Sequence, residues 1–171
     1  HLCLKDQYRQ YGEFFWSRVW YIQGANCCSK HKIKLTEFLP TAHLCGRHQF
    51  IPASFILDRK QPNNPAHELD LIVSRYVDQL LKLPPTTSPT FHQWSQFYQR
   101  IAKRLGFNKA SKHIDHSKIH AAVIRTWDLK WLQQHHLDEL KSETSWLKAI
   151  FRKHRKSFSY LEHIIILEAL Y

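Results

Sequence analysis

The chain has 171 residues, enough for one helical domain with a modest core or for a small metal-stapled module joined to one. A hydrophobic share of 43% and an aromatic share of 13%, with six Trp and ten Phe, exclude a disordered chain, and the longest apolar run, Ile164 to Leu167, is far short of the roughly 18 residues of a membrane span. Lys and Arg number 25 against 14 Asp and Glu; the formal charge of +11, with a pI near 9.6, makes a polyanion the expected partner.

No Met occurs anywhere, the chain opens on His1-Leu2-Cys3 and it stops at Tyr171 within an apolar pattern, so it reads as an excised fragment. Nothing resembles a signal peptide, and a cytosolic setting is expected. All four cysteines (Cys3, Cys27, Cys28 and Cys45) and three of the four glycines fall in the first fifty or so residues, among short aromatic-rich segments without sustained helical period. A basic, signal-less chain belongs in a reducing compartment, so metal binding is a better default for these cysteines than two disulfides.

Asp58 to Pro65 is polar and carries two prolines, which marks a linker. Beyond it Leu69, Ile72, Val73, Tyr76, Val77, Leu80 and Leu81 recur at spacings of three and four, predicting an amphipathic helix that ends before Pro84-Pro85. Thr90 with Gln93 forms a capping box ahead of a helix closed by Gly106, and Asp115 caps a further helix from about His116 to Trp127. A helix around Lys130 to Leu140 is weaker in pattern. Trp146, Leu147, Ile150 and Phe151 define another, closed by the basic run Arg152 to Lys156, and Ser159 with Glu162 caps a last helix from Tyr160. The break Ser157-Phe158-Ser159 has the length of the turn in a helix-turn-helix unit. The fold class expected is mainly α: a zinc-binding module over residues 1–57, a linker and amphipathic helix over 58–89, and a helical domain with helix-turn-helix-like units over 90–171.

Cys28-Ser29-Lys30-His31 is a C-x-x-H knuckle, a spacing that lets two side chains reach one tetrahedral ion from a tight turn; Cys3 is the third candidate ligand. A fourth is expected three residues before Cys3, ahead of His1, with Cys45 and His48 as substitutes. Alternatively, Cys3, Cys27 and Cys45 are small buried hydrophobes and His31 an exposed basic residue. Cys27 is left out of the ligand set because Cys28 alone has the knuckle spacing. No acidic residue stands near the knuckle in sequence to act as a general base, so Zn2+ is expected to be structural and a zinc-dependent nuclease is the minor alternative.

Cys3, Tyr11-Gly12-Glu13-Phe14-Phe15-Trp16, Trp20, Cys28-Ser29-Lys30-His31 and Leu35 together resemble the pattern of the TniQ/TnsD family of transposition target-selection proteins. His48-Gln49-Phe50, Gln93-Trp94, Phe97 to Arg100, Ser111 to Ile114 and Trp146 to Leu161 are similar to its TnsD branch. Cys45 belongs to no motif of the family. The resemblance implies a protein that binds double-stranded DNA at a chromosomal attachment site, at the end of the glucosamine-fructose-6-phosphate aminotransferase gene, and recruits the AAA+ regulator TnsC and other transposase subunits. It implies no catalysis and no membrane, with the protein cytoplasmic and nucleoid-associated. A protein-interaction module of a TniQ-like subunit in an RNA-guided complex is the alternative.

Two basic segments are the candidates for nucleic-acid contact. Arg152, Lys153, His154, Arg155 and Lys156 gather charge beside a Ser-rich turn, which suits phosphate, although such a run also complements a helix dipole or forms a solvated face. Lys109, Ser111, Lys112, His113, His116 and Lys118 stand around a helix N-terminus, the end from which recognition helices read bases; an ordinary polar loop is the competing reading. Trp94, Phe97, Tyr98, Trp127 and Trp146 fall on apolar helical faces and are expected in the core.

Overall fold

A computed structural model describes residues 2–38, 50–57, 62–109 and 113–171, which form two compact units, His1–Leu83 and Pro84–Tyr171. Helix dominates the described residues, and none of their helices is long and apolar enough to cross a membrane.

In the first unit, α1 (Leu2–Tyr11) stops at Gly12, whose φ of 75° is the left-handed conformation a helix C-terminus favours; its N–H donates to the Tyr8 carbonyl at 2.9 Å. A 3-10 turn (Arg18–Tyr21) leads into two short antiparallel strands, β1 (Cys27–Cys28) and β2 (Ile33–Lys34), which pair Cys27 with Lys34 and Cys28 with Ile33. Helix α2 (Glu68–Lys82) buries Leu69, Leu71, Val73 and Val77 and packs on β1, where the Cys27 Sγ lies 3.1 Å from the Ser74 Oγ. The amphipathic helix that the sequence set apart with the linker is thus integrated into the unit that carries the cysteines. Leu4, Ala25 and Cys27 complete this small core. Around it lies an aromatic layer in which Trp16 stacks on Phe38, meets Trp20 edge-on and donates its indole N–H to the Ile51 carbonyl at 2.7 Å.

The second unit is built from α3 (Phe91–Arg104), α4 (His116–Thr126), α5 (Leu129–Gln134), α6 (Trp146–Ile150) and α7 (Tyr160–Leu170). The capping boxes at Thr90 and Ser159 form as the sequence predicts, and the Asp115 side chain accepts from the Ser117 N–H at 3.1 Å. Helix α7 buries Leu161, Ile164, Ile165, Ile166, Ala169 and Leu170. It packs against α4, and the fully buried Trp127 donates its indole N–H to the Ile165 carbonyl at 3.0 Å, which satisfies the one polar atom of that ring. Tyr98 is also fully buried, and its hydroxyl is hydrogen-bonded to the His163 Nδ1. Burial holds the His163 imidazole neutral, lowering its pKa to about 4, with the neighbouring His154 adding to the effect.

Two boundaries differ from the sequence pattern. Helix α5 ends at Gln134 rather than near Leu140, where His136 takes a positive φ of 57° and the chain turns away. Helix α6 ends at Ile150, so the basic run 152–156 does not close a helix; it lies in the connection to α7, which is longer than a three-residue turn.

Candidate metal centre and basic cleft

The knuckle is a tight turn between two strands. Cys28 ends β1, residues 29–32 turn the chain, and Lys32 adopts a φ of 55° to bring it back into β2. Strand alternation sends neighbouring side chains to opposite faces, so Cys27 points into the core toward Ser74 and Cys28 points the other way, toward α1. There the Cys3 Sγ lies 3.3 Å from the Cys28 Sγ, and the His31 Nδ1 lies 3.4 Å from Cys3 and 3.2 Å from Cys28. Tetrahedral zinc holds its ligand atoms about 3.5–3.8 Å apart, given Zn–S near 2.3 Å and Zn–N near 2.0–2.1 Å. Two thiols and an imidazole nitrogen converging at almost that spacing from two segments, α1 and the knuckle, form a set that can hold a metal ion. Cys45 and His48, the substitutes for a fourth ligand, lie outside the described residues.

The electrostatics suit a cation. The thiol of Cys3 donates to Cys28, which pulls the Cys28 pKa down to about 5 and pushes that of Cys3 up, a proton that a metal would displace. One acidic group stands closer than the sequence led us to expect: the Asp6 Oδ2 lies 3.0 Å from the His31 Nε2 and is also ion-paired with Lys30. Lys30, by hydrogen bond and charge, holds the Asp6 carboxyl below the usual carboxylate range. This carboxylate faces the far side of the imidazole, away from the two sulfurs.

In the second unit a cleft of about 660 Å3 opens between α3, the loop before α4 and the start of the α6–α7 connection. Gln99 and Lys103 line it from one face of α3, four positions apart; Asn108, His113 and His116 come from the loop and the first turn of α4; Arg152 and Lys153 come from the connection. The loop is pinned at its base: Asn108 and Ile114 form an antiparallel bridge, the Lys109 N–H donates to the His113 carbonyl at 2.8 Å and the Asp115 N–H to the Phe107 carbonyl at 2.6 Å. Burial, and then the charges of Arg152 and Lys148, lower the His116 pKa, and its Nδ1 has no hydrogen-bond partner among the described residues. Arg152 donates to the Glu143 side chain at 3.4 Å, a carboxylate that also binds Lys148 at 2.7 Å.

The residues expected to contact nucleic acid therefore divide. His113, His116, Arg152 and Lys153 line the cleft, while Lys109, Lys118, Arg155 and Lys156 are exposed outside its lining. Ser111 and Lys112 lie outside the described residues. His154 is corrected: it is 4% exposed, its Nε2 donates to the Ile150 carbonyl at 2.7 Å and its backbone N–H donates to the buried Ser95 hydroxyl at 2.8 Å. It is a packing residue beside Tyr98, not a surface contact. Lys103 and Gln99 escaped the sequence reading because a Lys in the last turn of a helix reads as a complement to the dipole.

Fold and site together define a mainly helical protein with a Cys2His cluster in one unit and a cationic cleft in the other. The model of the family described as TnsD, Tn7-like transposition protein D, matches residues 73–171, and the chain belongs to this family. It is 38% identical to the transposon Tn7 transposition protein TnsD of Escherichia coli over 172 aligned positions, which cover 98% of this chain and 33% of that relative; the chain thus spans about a third of the relative's length.

Proposed function

We propose that this chain is the part of a Tn7-type target selector that holds double-stranded DNA, with a structural Zn2+ in the first unit and a DNA-contacting surface in the second. The observation that carries the reading is the convergence of two basic segments, distant in sequence, on one cleft to which α3 adds Lys103. Lys103, Arg152 and Lys153 supply fixed positive charge; Gln99, Asn108 and the neutral His116 supply polar atoms at the same opening. Cations around a concave polar opening suit a phosphate backbone, and the loop leading into α4 suits base edges. Cys3, Cys28 and His31 would ligate the zinc, whose role is to tie α1 to the β1–β2 turn. The bound target would recruit the AAA+ regulator TnsC and the transposase subunits, which carry out the strand chemistry; no catalysis is assigned to this chain. The protein would act in the cytoplasm at the nucleoid.

The test is fluorescence anisotropy of the chain against an attachment-site duplex and a scrambled duplex across a salt series. Binding that falls steeply with salt is expected, with each of Lys103→Ala and Lys153→Ala lowering the slope of log K against log salt by about one. Unchanged slopes in both variants would remove the cleft from the interface. Failure to bind either duplex at low salt would favour a protein-interaction module instead.

A further inference from the structure

A metal-bound imidazole has two nitrogens with different tasks: one gives its lone pair to the ion, and the other carries a proton that must be accepted elsewhere. Both are accounted for at His31. Nδ1 faces the two sulfurs, at 3.2 and 3.4 Å, and Nε2 faces the Asp6 Oδ2 at 3.0 Å. Asp6 follows Cys3 by three positions on α1, so one face of this helix carries both the sulfur and the carboxylate. Lys30, inside the knuckle, ion-pairs with the same carboxylate oxygen. The charges also balance: two thiolates offset a divalent ion, and Lys30 offsets Asp6.

We infer that Asp6 is a positioning residue for the metal centre: it accepts the Nε2 proton of His31, and so selects the tautomer that leaves Nδ1 free to bind the ion. This rests on the reading of Cys3, Cys28 and His31 as metal ligands. Without Asp6 the imidazole is free to rotate or to place its proton on Nδ1, and the ion loses an oriented ligand. A merely structural surface ion pair between Asp6 and the knuckle would leave the tautomer of the loaded protein unchanged.

The experiment titrates the 171-residue chain with Zn2+ against a competing chromophoric chelator, for the wild type, Asp6→Ala and Asp6→Asn, with nitrogen-15 NMR of the His31 ring in the zinc-loaded samples. One Zn2+ per chain is expected in the wild type, with an Nε2–H signal for His31. Asp6→Ala should weaken zinc binding by about 10- to 100-fold. Asp6→Asn, whose amide oxygen still accepts a hydrogen bond, should keep the Nε2–H tautomer with a smaller loss of affinity. Equal affinity in the wild type and Asp6→Ala, or an Nδ1–H signal in the loaded wild type, would overturn the inference while the metal site stands. No zinc uptake by the wild type would instead overturn the metal reading beneath it. Should Asp6→Ala fail to fold, Asp6→Asn and the wild-type tautomer still decide.

Discussion

The two units are held together by different physics. In the first, the buried apolar set among the described residues is small, and Cys3 on α1 meets the knuckle that carries Cys28 and His31. In the second, large side chains interlock: Trp127, Tyr98, Phe151, Ile165 and Ile166 are all fully buried, and helix ends are closed by side-chain caps. A unit with few core residues depends on a cross-link, whereas one with a continuous core depends on shape.

The largest effect expected from this difference is selective. If the cluster holds the proposed zinc, its chelation, or Cys28→Ser, should unfold the first unit and leave the second intact, since metal binding in small modules supplies on the order of 10 kcal/mol. Hydrogen exchange read unit by unit would check this; parallel loss of protection in both units would break the comparison. Next in size, Trp127→Ala should destabilise the second unit by about 3–5 kcal/mol, through the cavity it leaves and the loss of its bond to Ile165, with zinc content unchanged. Denaturant melts with zinc analysis on the same sample would measure both.

The smallest effect is on pH. His163 has a folded pKa near 4 against an ordinary 6.5, so below 6.5 the unfolded chain binds a proton that the folded chain refuses. The stabilisation is therefore complete above pH 6.5 and is lost as pH falls toward 4. Because the ring is only partly buried, a loss of about 1–2 kcal/mol is expected over that window, with a flatter profile in His163→Gln. Melts of the second unit from pH 7 to 4 would show it.

Much of this architecture is legible in the residue order because it rests on local rules. Thr90 and Gln93, Asp115, and Ser159 and Glu162 mark helix starts through contacts that span two or three residues, and the structure keeps each of them. The spacing of Cys28 and His31 likewise contains its own turn. The basic run 152–156 misled for the complementary reason: charge says nothing about where a helix ends, and α6 had already ended at Ile150. His154 has the same side chain as an exposed histidine, and only the Ser95 hydroxyl and the Ile150 carbonyl around it show that it is buried.

The sequence by itself determined the helix caps, the apolar faces and the knuckle, because these depend on neighbours within about one helical turn. Tertiary structure decided what only distance in space can decide. It set Cys3 against the knuckle and placed Asp6 behind His31; it turned His154 inward and brought Lys103 from α3 to the same opening as Arg152 and Lys153. Side chains far apart along the chain meet only after the cores have chosen their packing, and no local pattern encodes that choice.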